Sequence, residues 1–206
     1  MNELQNMQPA TLGKKYDKIS NWWHERHFDS DYGVKQFKSA LRFVSSSSNA
    51  LDVGCGSGGR FIQILKAKGF NVTGIDVSKE MIKLARENHP KETFILQDIC
   101  SWETNEKFDF IYAWDSIFHL PLDMQKSVLN KLCGLLNQGG VLFYTFGNAV
   151  GESTGEWLGD IFYYSSIGIN DNLKLLIDNG LSVQHLELDQ FPEKHVCVVA
   201  QKATME

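Results

Sequence analysis

The glycine-rich segment 51-LDVGCGSGG-59 holds the residues with the clearest chemical meaning in the sequence. Four glycines, Gly54, Gly56, Gly58 and Gly59, fall within six positions. Glycine loses more chain entropy on folding than any other residue, so this density indicates a backbone that must approach a ligand closely. An apolar run precedes the loop and a helical pattern follows it. Such a loop turns backbone N–H groups and the positive end of a helix toward a ligand.

Three aspartates, Asp52, Asp76 and Asp98, lie at or near the ends of three successive apolar segments that are predicted to be strands. In an open sheet of parallel strands, ligands bind outside the carboxyl ends of the strands. Ionised carboxylates only accept hydrogen bonds, so they suit a ligand that carries amine and hydroxyl donors. Asp52 lies inside its strand, just before the glycines, and favours a cationic group on the ligand.

A dinucleotide site is the main alternative. Gly54, Gly56 and Gly59 satisfy the spacing G-x-G-x-x-G, and Asp76 follows 17 residues after the last of them. This combination is typical of NAD-binding folds, although the glycine spacing alone is weak evidence. An anion at Asp52 would face the negative pyrophosphate of a dinucleotide, and the chain lacks room for a separate catalytic domain. An NAD(P)-binding oxidoreductase is therefore the less favoured prediction.

The elements that must position these residues alternate regularly along the chain. Predicted strands lie at 50–53, 71–77, 93–99, 108–115 and 141–146, and predicted helices lie at 60–69, 78–89 and 122–137. Strands that alternate with helices form a parallel sheet with both faces covered. Two more predicted strands, 182–189 and 195–202, are joined by only five residues and must be antiparallel, because a parallel crossover needs about a dozen.

The composition narrows the class of partner. The net charge is −5 at pH 7, and no basic patch of the kind that nucleic-acid binders carry stands out. No apolar run resembles a membrane span or a secretory leader. The four cysteines are far apart, so we expect reduced thiols, and we predict no metal site. These features predict a cytoplasmic protein with a small-molecule partner, no nucleic acid, no membrane, and a monomeric or homodimeric state.

Five segments together resemble the ordered motifs of the class I S-adenosylmethionine-dependent methyltransferases. They are 51-LDVGCGSGG-59, 74-GIDVS-78, 97-QDI-99, 108-FDFIYAWDSIFHL-120 and 139-GGVLFYTF-146. The resemblance covers residues 12 to 202. It implies an α/β fold with a Rossmann-like, doubly wound seven-stranded sheet of order 3-2-1-4-5-7-6, in which strand 7 is antiparallel.

The resemblance also implies which residues bind the cofactor, S-adenosylmethionine. These are Asp52, Gly54, Cys55, Gly56 and Gly58 beside its methionine part, Asp76 at the ribose hydroxyls, Val77 and Met81 beside the adenine, Asp98 and Ile99 at the adenine amine edge, Trp114 beside the sulfonium, and Tyr16 folded over the cofactor. His119 follows the fourth predicted strand and is the candidate catalytic base or acceptor-positioning group. Its alternative role is packing at a helix start.

We therefore predict one methyltransferase domain over residues 1–206. Its expected parts are an N-terminal helical cap at 1–45, a cofactor-binding core at 49–146, a small lid at 147–169, and a final helix with an antiparallel strand pair at 170–206. The predicted reaction moves a methyl group to a small-molecule acceptor by in-line displacement and leaves S-adenosylhomocysteine. A non-catalytic module that only binds S-adenosylmethionine is the second alternative.

Overall fold

The computed structural model describes residues 8–45, 48–190, 192 and 194–204. Its strands are β1 (Asn49–Val53), β2 (Asn71–Asp76), β3 (Thr93–Leu96), β4 (Phe108–Ala113), β5 (Leu136–Gly147), β6 (Val150–Trp157), β7 (Asp160–Ile167), β8 (Leu181–Leu188) and β9 (His195–Lys202). Its α-helices are α1 (Pro9–His27), α2 (Val34–Ala40), α3 (Arg60–Ala67), α4 (Lys79–Asn88), α5 (Leu122–Leu135) and α6 (Gly168–Asp178). Short 3₁₀ helices span Leu41–Phe43 and Ile117–His119.

Seven strands form one sheet in the order β3-β2-β1-β4-β5-β9-β8. The first five of these strands are parallel to one another. Strand β9 runs antiparallel to both of its neighbours, β5 and β8. Since β8 and β9 are the sixth and seventh strands of this sheet along the chain, the predicted order and the antiparallel seventh strand are confirmed.

Helices cover both faces of the sheet. One apolar core includes Leu129 and Leu132 of α5 and Leu176 of α6. The core on the other face includes Phe37 of α2 and Ile62 of α3. Because both faces are covered, all residues of β4 are buried, and the strand reads as an almost unbroken apolar run. That pattern made the central strands predictable.

The segment predicted as a lid forms a β-hairpin. Strands β6 and β7 pair in antiparallel register, from Val150 opposite Ile167 to Trp157 opposite Asp160. The two residues between them, 158 and 159, have φ values of 48° and 76°. Two-residue hairpin turns require such positive φ values, which Asn-Gly or Gly-Gly usually supplies. The Leu-Gly pair found here gives no such signal, so the sequence analysis missed both strands.

Two predicted boundaries differ from the structure by three or more residues. Strand β3 ends at Leu96 rather than at residue 99, because the Asp98 carboxylate accepts a hydrogen bond from the Cys100 N–H at 2.8 Å and turns the chain. Strand β5 begins at Leu136, within the predicted helix 122–137, and pairs there with Phe108. The division of the chain into cap, core, lid and tail stays a prediction, and the first seven residues of the cap lie outside the described residues.

Helix α1 packs tightly against the loop that follows β2. A Cβ atom on Gly13 would lie 2.3 Å from the carbonyl oxygen of Val77. Four residues later, the Asp17 carboxylate accepts hydrogen bonds from the Ser78 hydroxyl at 2.6 Å and from the Glu80 N–H at 3.0 Å. These contacts tie α1 to the start of α4.

We expect Gly13→Ala to lower the free energy of unfolding, although alanine favours a helix by about 1 kcal/mol over glycine. The added methyl group would overlap a backbone carbonyl that cannot rotate away, so α1 must shift. Overpacking of this kind costs about 1–3 kcal/mol, which outweighs the gain in helix propensity. Urea denaturation measures the difference.

Gly134→Ala in α5 is the matched control, because no atom beyond its chain neighbours and the backbone of its own helix lies within 4 Å of a Cβ at that position. We expect it to raise the free energy of unfolding by up to about 1 kcal/mol. Equal effects of the two substitutions would contradict the close packing of α1.

Candidate functional site

A cavity opens at the carboxyl ends of β1, β2 and β4, and residues of α1 form part of its wall. It contains about 1210 Å³ of empty space, its open mouth included. All but one of the predicted site residues line it, namely Tyr16, Asp52, Gly54, Cys55, Gly56, Asp76, Val77, Met81, Asp98, Ile99, Trp114 and His119. The cavity therefore brings together residues from widely separated parts of the chain.

The glycine loop forms one wall of this cavity. Gly54 and Gly56 have φ values of 79° and 52°, in the left-handed region that favours glycine. A Cβ at Gly54 would lie 2.4 Å from the Cβ of Ser116, so the position also needs glycine for space. Gly58 is the predicted site residue that does not line the cavity. It packs instead against Ala85 and His89 on the far side of the loop.

Asp76 connects the glycine loop to helix α4. One carboxylate oxygen accepts a hydrogen bond from the Gly56 N–H at 2.9 Å, and the other accepts one from the Ser78 N–H at 2.8 Å. Burial raises the pKa of Asp76, and the backbone hydrogen bonds partly offset that rise. Each carboxylate oxygen has two lone pairs, so both retain capacity to accept a further hydrogen bond from a ligand.

Asp52 is a buried carboxyl group in the middle of the sheet. Its Oδ2 accepts a hydrogen bond from the Tyr112 hydroxyl of β4 at 2.6 Å. Burial raises its pKa to about 7, because the interior disfavours the charged form, while the bond from Tyr112 acts in the opposite direction. A cationic group bound beside Asp52 would favour the ionised carboxylate.

The remaining predicted contacts lie around the ends of β2 and β3. Ser78 caps α4 by accepting a hydrogen bond from the Met81 N–H, and Met81 is buried against the cavity. Asp98 is half-buried and lies two residues beyond β3, beside the buried Ile99. These residues provide an apolar surface and a carboxylate at the same end of the cavity.

His119 and Tyr16 form a buried pair. The ring Nδ1 of His119 lies 2.8 Å from the Tyr163 carbonyl oxygen, which can only accept, so Nδ1 carries the proton. The other nitrogen, Nε2, then accepts a hydrogen bond from the Tyr16 hydroxyl at 3.0 Å. Burial lowers the pKa of His119 to about 4 and raises that of Tyr16. His119 is therefore a neutral imidazole at ordinary pH.

Trp114 and Cys55 contribute mainly shape. Trp114 lies between Tyr32 and Phe143, with ring centroids 5.5 Å and 5.4 Å away. Burial raises the pKa of the Cys55 thiol far above its usual value, so it is a poor nucleophile. Within the residues that the structure describes, no group of three or more His, Cys, Asp or Glu side chains could hold a metal ion.

Two charged residues that line the cavity, Arg60 and Asp115, are not among the predicted site residues. The Arg60 guanidinium donates hydrogen bonds to the backbone carbonyls of Tyr32 and His27, at 2.6 Å and 3.0 Å. Asp115 directly follows Trp114, and its φ of 54° is rare for a residue other than glycine. Arg60 directly follows the glycine loop and Asp115 lies within the segment 108–120, so a charge in or next to a motif was the available signal.

The hairpin tip and α1 meet beside the cavity. The Lys18 ammonium pairs with the Asp160 carboxylate at 2.8 Å. The Trp23 and Trp157 rings pack edge to face, with centroids 5.8 Å apart. The aromatic residues of the two regions outside the main sheet therefore pack against one another.

The comparisons with known proteins find methyltransferases. The profile of a family described as a methyltransferase domain matches residues 50–140. A ubiquinone biosynthesis O-methyltransferase from Vibrio vulnificus is 29% identical over 158 residues, which cover 70% of this chain and 65% of the relative. One of the same name from Rickettsia canadensis is 27% identical over 202 residues, covering 84% of each chain. These findings support the predicted resemblance to the class I S-adenosylmethionine-dependent methyltransferases.

Solved structures of methyltransferases share the fold. The CcbJ methyltransferase from Streptomyces caelestis superposes with a TM-score of 0.69 at 17% identity, over 97% of this chain and all of that one. Magnesium protoporphyrin IX methyltransferase from Synechocystis, solved with S-adenosylmethionine, gives a TM-score of 0.68 at 18% identity, over 95% and 98% of the two chains. At these identities the likeness concerns the fold alone. No helix in the described ranges is long and apolar enough to cross a membrane.

We expect Asp52 to make the protein less stable as the pH rises from about 4 to about 7. The folded pKa is about 7, whereas an unfolded aspartate titrates near 3.9, so across this window the folded state binds the extra proton. The contribution of Asp52 to the free energy of unfolding should then fall by up to about 1.4 kcal/mol per pH unit. Denaturation of the wild type and Asp52→Asn at several pH values measures it.

The difference in free energy of unfolding between the two proteins isolates the contribution of Asp52, because the other groups titrate equally in both. As the pH rises to about 7, the wild type should lose stability relative to Asp52→Asn. Above about pH 7 the difference should stay constant. A difference that stays constant from pH 4 to pH 8 would show that Asp52 is not a protonated buried acid.

Proposed function

We propose that the protein is an S-adenosylmethionine-dependent methyltransferase that acts on a small-molecule acceptor. The observation that carries the proposal is the set of carboxylates Asp52, Asp76 and Asp98 along one cavity wall, beside the glycine loop. The cofactor carries an ammonium group, ribose hydroxyls and an adenine amine, which are all hydrogen-bond donors. A wall of acceptors fits those donors better than it fits the pyrophosphate of a dinucleotide.

The cavity also fits the shape of the cofactor. Gly54 and Gly56 leave space that side chains would fill, and the buried Asp52 lacks a cationic partner within hydrogen-bond distance among the described residues. In the proposed arrangement Asp52 faces the ammonium group, Asp76 accepts from the ribose hydroxyls, and Met81 packs on the adenine. When bound, S-adenosylmethionine supplies an electrophilic methyl group on a sulfonium, and S-adenosylhomocysteine is the product.

The protein contributes mainly alignment and the exclusion of water. Holding two reactants in line supplies a large part of a transfer rate without a covalent protein intermediate. The contacts of α1 with the hairpin, including the Lys18–Asp160 pair, would cover the cavity during transfer. This role gives a physical reason for the lid that we predicted at 147–169.

His119 is the proposed proton acceptor when the acceptor group has a proton to lose. Its Nε2 is unprotonated and already accepts a hydrogen bond from the Tyr16 hydroxyl. A proton released by the acceptor would pass to the Tyr16 oxygen while the Tyr16 proton moves to Nε2. Positioned bases contribute about 10²–10⁴-fold to a rate when their pKa lies near the operating pH, so a pKa of about 4 places the contribution of His119 at the low end of that range.

The acceptor itself is proposed only as a class. The named relatives are O-methyltransferases of ubiquinone biosynthesis, which supports oxygen as the methylated atom. Aromatic side chains on the cavity wall, including Tyr16, Trp23 and Trp114, favour a planar acceptor. The cytoplasmic location, the monomeric or homodimeric state and the absence of a nucleic-acid partner stay predictions.

We expect S-adenosylmethionine and S-adenosylhomocysteine to raise the melting temperature, and NAD to leave it unchanged. A ligand at about 100 times its dissociation constant stabilises the folded state by about 2.7 kcal/mol. Asp76→Ala should abolish the shift, because it removes the ribose acceptor and releases the Gly56 N–H that shapes the loop. A thermal-shift titration measures these effects.

Asp171→Ala is the matched control, since Asp171 lies on α6 and pairs with Lys126 outside the cavity. It should retain the full ligand shift. A shift with NAD alone would overturn the proposal, and binding of both adenosyl ligands with no methyl transfer to any acceptor would favour the non-catalytic module.

We expect the imidazole of His119 to stay neutral from pH 5 to pH 8, with the proton on Nδ1. The reason is its burial, which lowers the pKa to about 4, together with the hydrogen bond to the Tyr163 carbonyl. Long-range ¹H–¹⁵N spectra distinguish the two nitrogens, and His119→Gln assigns the signal. A titration midpoint above pH 6 would contradict the proposed neutral base.

A further inference from the structure

Lys131 of α5 contacts the β3 loop, residues 97–102, which follows strand β3. Its ammonium group donates hydrogen bonds to three backbone carbonyl oxygens, those of Ile99 at 2.9 Å, Cys100 at 3.1 Å and Trp102 at 2.7 Å. An ammonium group has three N–H donors, so one is available for each carbonyl. Lys131 itself does not line the cavity, and it takes part in none of the contacts described above.

The charge of Lys131 is directed mainly at this loop. The Lys131 side chain is 18% exposed, whereas its acidic neighbour, the Glu103 carboxylate at 3.4 Å, is 83% exposed. Exposed ion pairs contribute little because water screens them. Hydrogen bonds from a charged donor are about twice as strong as those between neutral groups, so the three carbonyl contacts are the main partners of the ammonium group.

The N–H groups of the same loop are bonded to Asp98. The Asp98 carboxylate accepts a hydrogen bond from the Cys100 N–H at 2.8 Å, and the Asp98 carbonyl accepts one from the Ser101 N–H at 3.1 Å. In two successive peptide units, therefore, the C=O group is bonded to Lys131 and the N–H group to Asp98. Because a peptide unit is planar, holding its C=O group also orients its N–H group.

Two residues of the β3 loop reach the cavity. Asp98 and Ile99 line it, whereas Cys100 and Trp102 do not. Oδ1 of Asp98 is held by the Cys100 N–H, and the Ile99 carbonyl of that same peptide unit is held by Lys131. The orientation of the Asp98 carboxylate at the cavity wall therefore depends on a residue outside that wall.

We propose that Lys131 is a positioning residue that makes the cavity selective for adenine by holding the β3 loop. Lys131 acts through the two peptide units that orient Asp98, and it does not touch the ligand. The inference rests on the proposed S-adenosylmethionine-dependent function, under which the adenine amine donates to Asp98. Without the ammonium group the loop loses its hold on the carboxylate, and the amine of adenine loses its aligned acceptor.

Lys202 of β9 offers a matched control. Its ammonium group also donates to backbone carbonyl oxygens, those of Cys133 at 3.0 Å and Leu136 at 3.2 Å, and none of these three residues lines the cavity. Lys131→Met and Lys202→Met each leave carbonyl groups without their partner, so both should lower the free energy of unfolding. Only Lys131→Met should alter the recognition of adenine.

Amide hydrogen exchange, followed by NMR, measures the hold on the loop in the unliganded protein. In Lys131→Met we expect the N–H groups of Cys100 and Ser101 to exchange about tenfold or more faster, relative to the N–H groups of β4. In Lys202→Met the same ratio should stay within about threefold of the wild type. An unchanged ratio in Lys131→Met would overturn the proposal without reference to any ligand.

Isothermal titration with two ligands measures the selectivity. S-inosylhomocysteine carries an oxygen in place of the adenine amine of S-adenosylhomocysteine. The wild type should bind the adenosyl ligand about tenfold or more tightly than the inosyl ligand, and Lys202→Met should keep this preference. In Lys131→Met the preference should fall to within about threefold. Lys131→Gln keeps a neutral donor and should reduce the preference in the same direction, so it tests the proposal if Lys131→Met does not fold.

The outcomes separate this inference from the proposed function. If neither ligand binds the wild type, the methyltransferase proposal fails, and this inference fails with it. If S-adenosylhomocysteine binds but Lys131→Met keeps the full preference, only the role of Lys131 is overturned. Equal losses of preference in Lys131→Met and Lys202→Met would show a merely structural role. A wild type that binds both ligands equally well would also overturn the inference.

Discussion

The hydrogen bonds of the Asp76 carboxylate are the interaction on which the site depends. They join the N–H of Gly56 in the glycine loop to the N–H of Ser78 at the start of α4, across the end of β2. Ser78 in turn donates to Asp17 of α1, so the same chain of contacts positions the helix that borders the cavity. The Asp76 side chain thereby sets the relative placement of the glycine loop, α4 and α1.

Burial of acids gives the cavity its selectivity. Burial raises the pKa of both Asp52 and Asp76, so the unliganded protein bears the cost of desolvating carboxylates next to each other. A ligand that presents a cation and several donors relieves that cost, whereas an anionic ligand increases it. Arg60 supplies the positive charge near this wall, but its donors are directed to backbone carbonyls. The acidic wall therefore favours an adenosyl cation over a dinucleotide.

Features set by the local sequence pattern were predictable. Features that depend on which distant residues meet in the folded protein were not. The core strands and the position of Asp76 at the end of β2 were predictable, because apolar runs predict buried strands and polar residues commonly follow them. The β-hairpin was not predicted because Leu158 occupies a turn position where Asn or Gly is usual. Asp115 and His195 lie 80 residues apart and meet only in the folded protein. Gly58, which is predicted to border the ligand, is not among the residues that line the cavity.

The most direct measurement is a crystal structure of the protein with S-adenosylhomocysteine. The account predicts both ribose hydroxyl oxygens within hydrogen-bond distance of the Asp76 carboxylate, the ligand ammonium beside Asp52, and the adenine between Met81 and Asp98. It also predicts that the Gly56 and Ser78 N–H groups keep their bonds to Asp76. A ligand bound elsewhere, or a ribose that does not contact Asp76, would contradict the account.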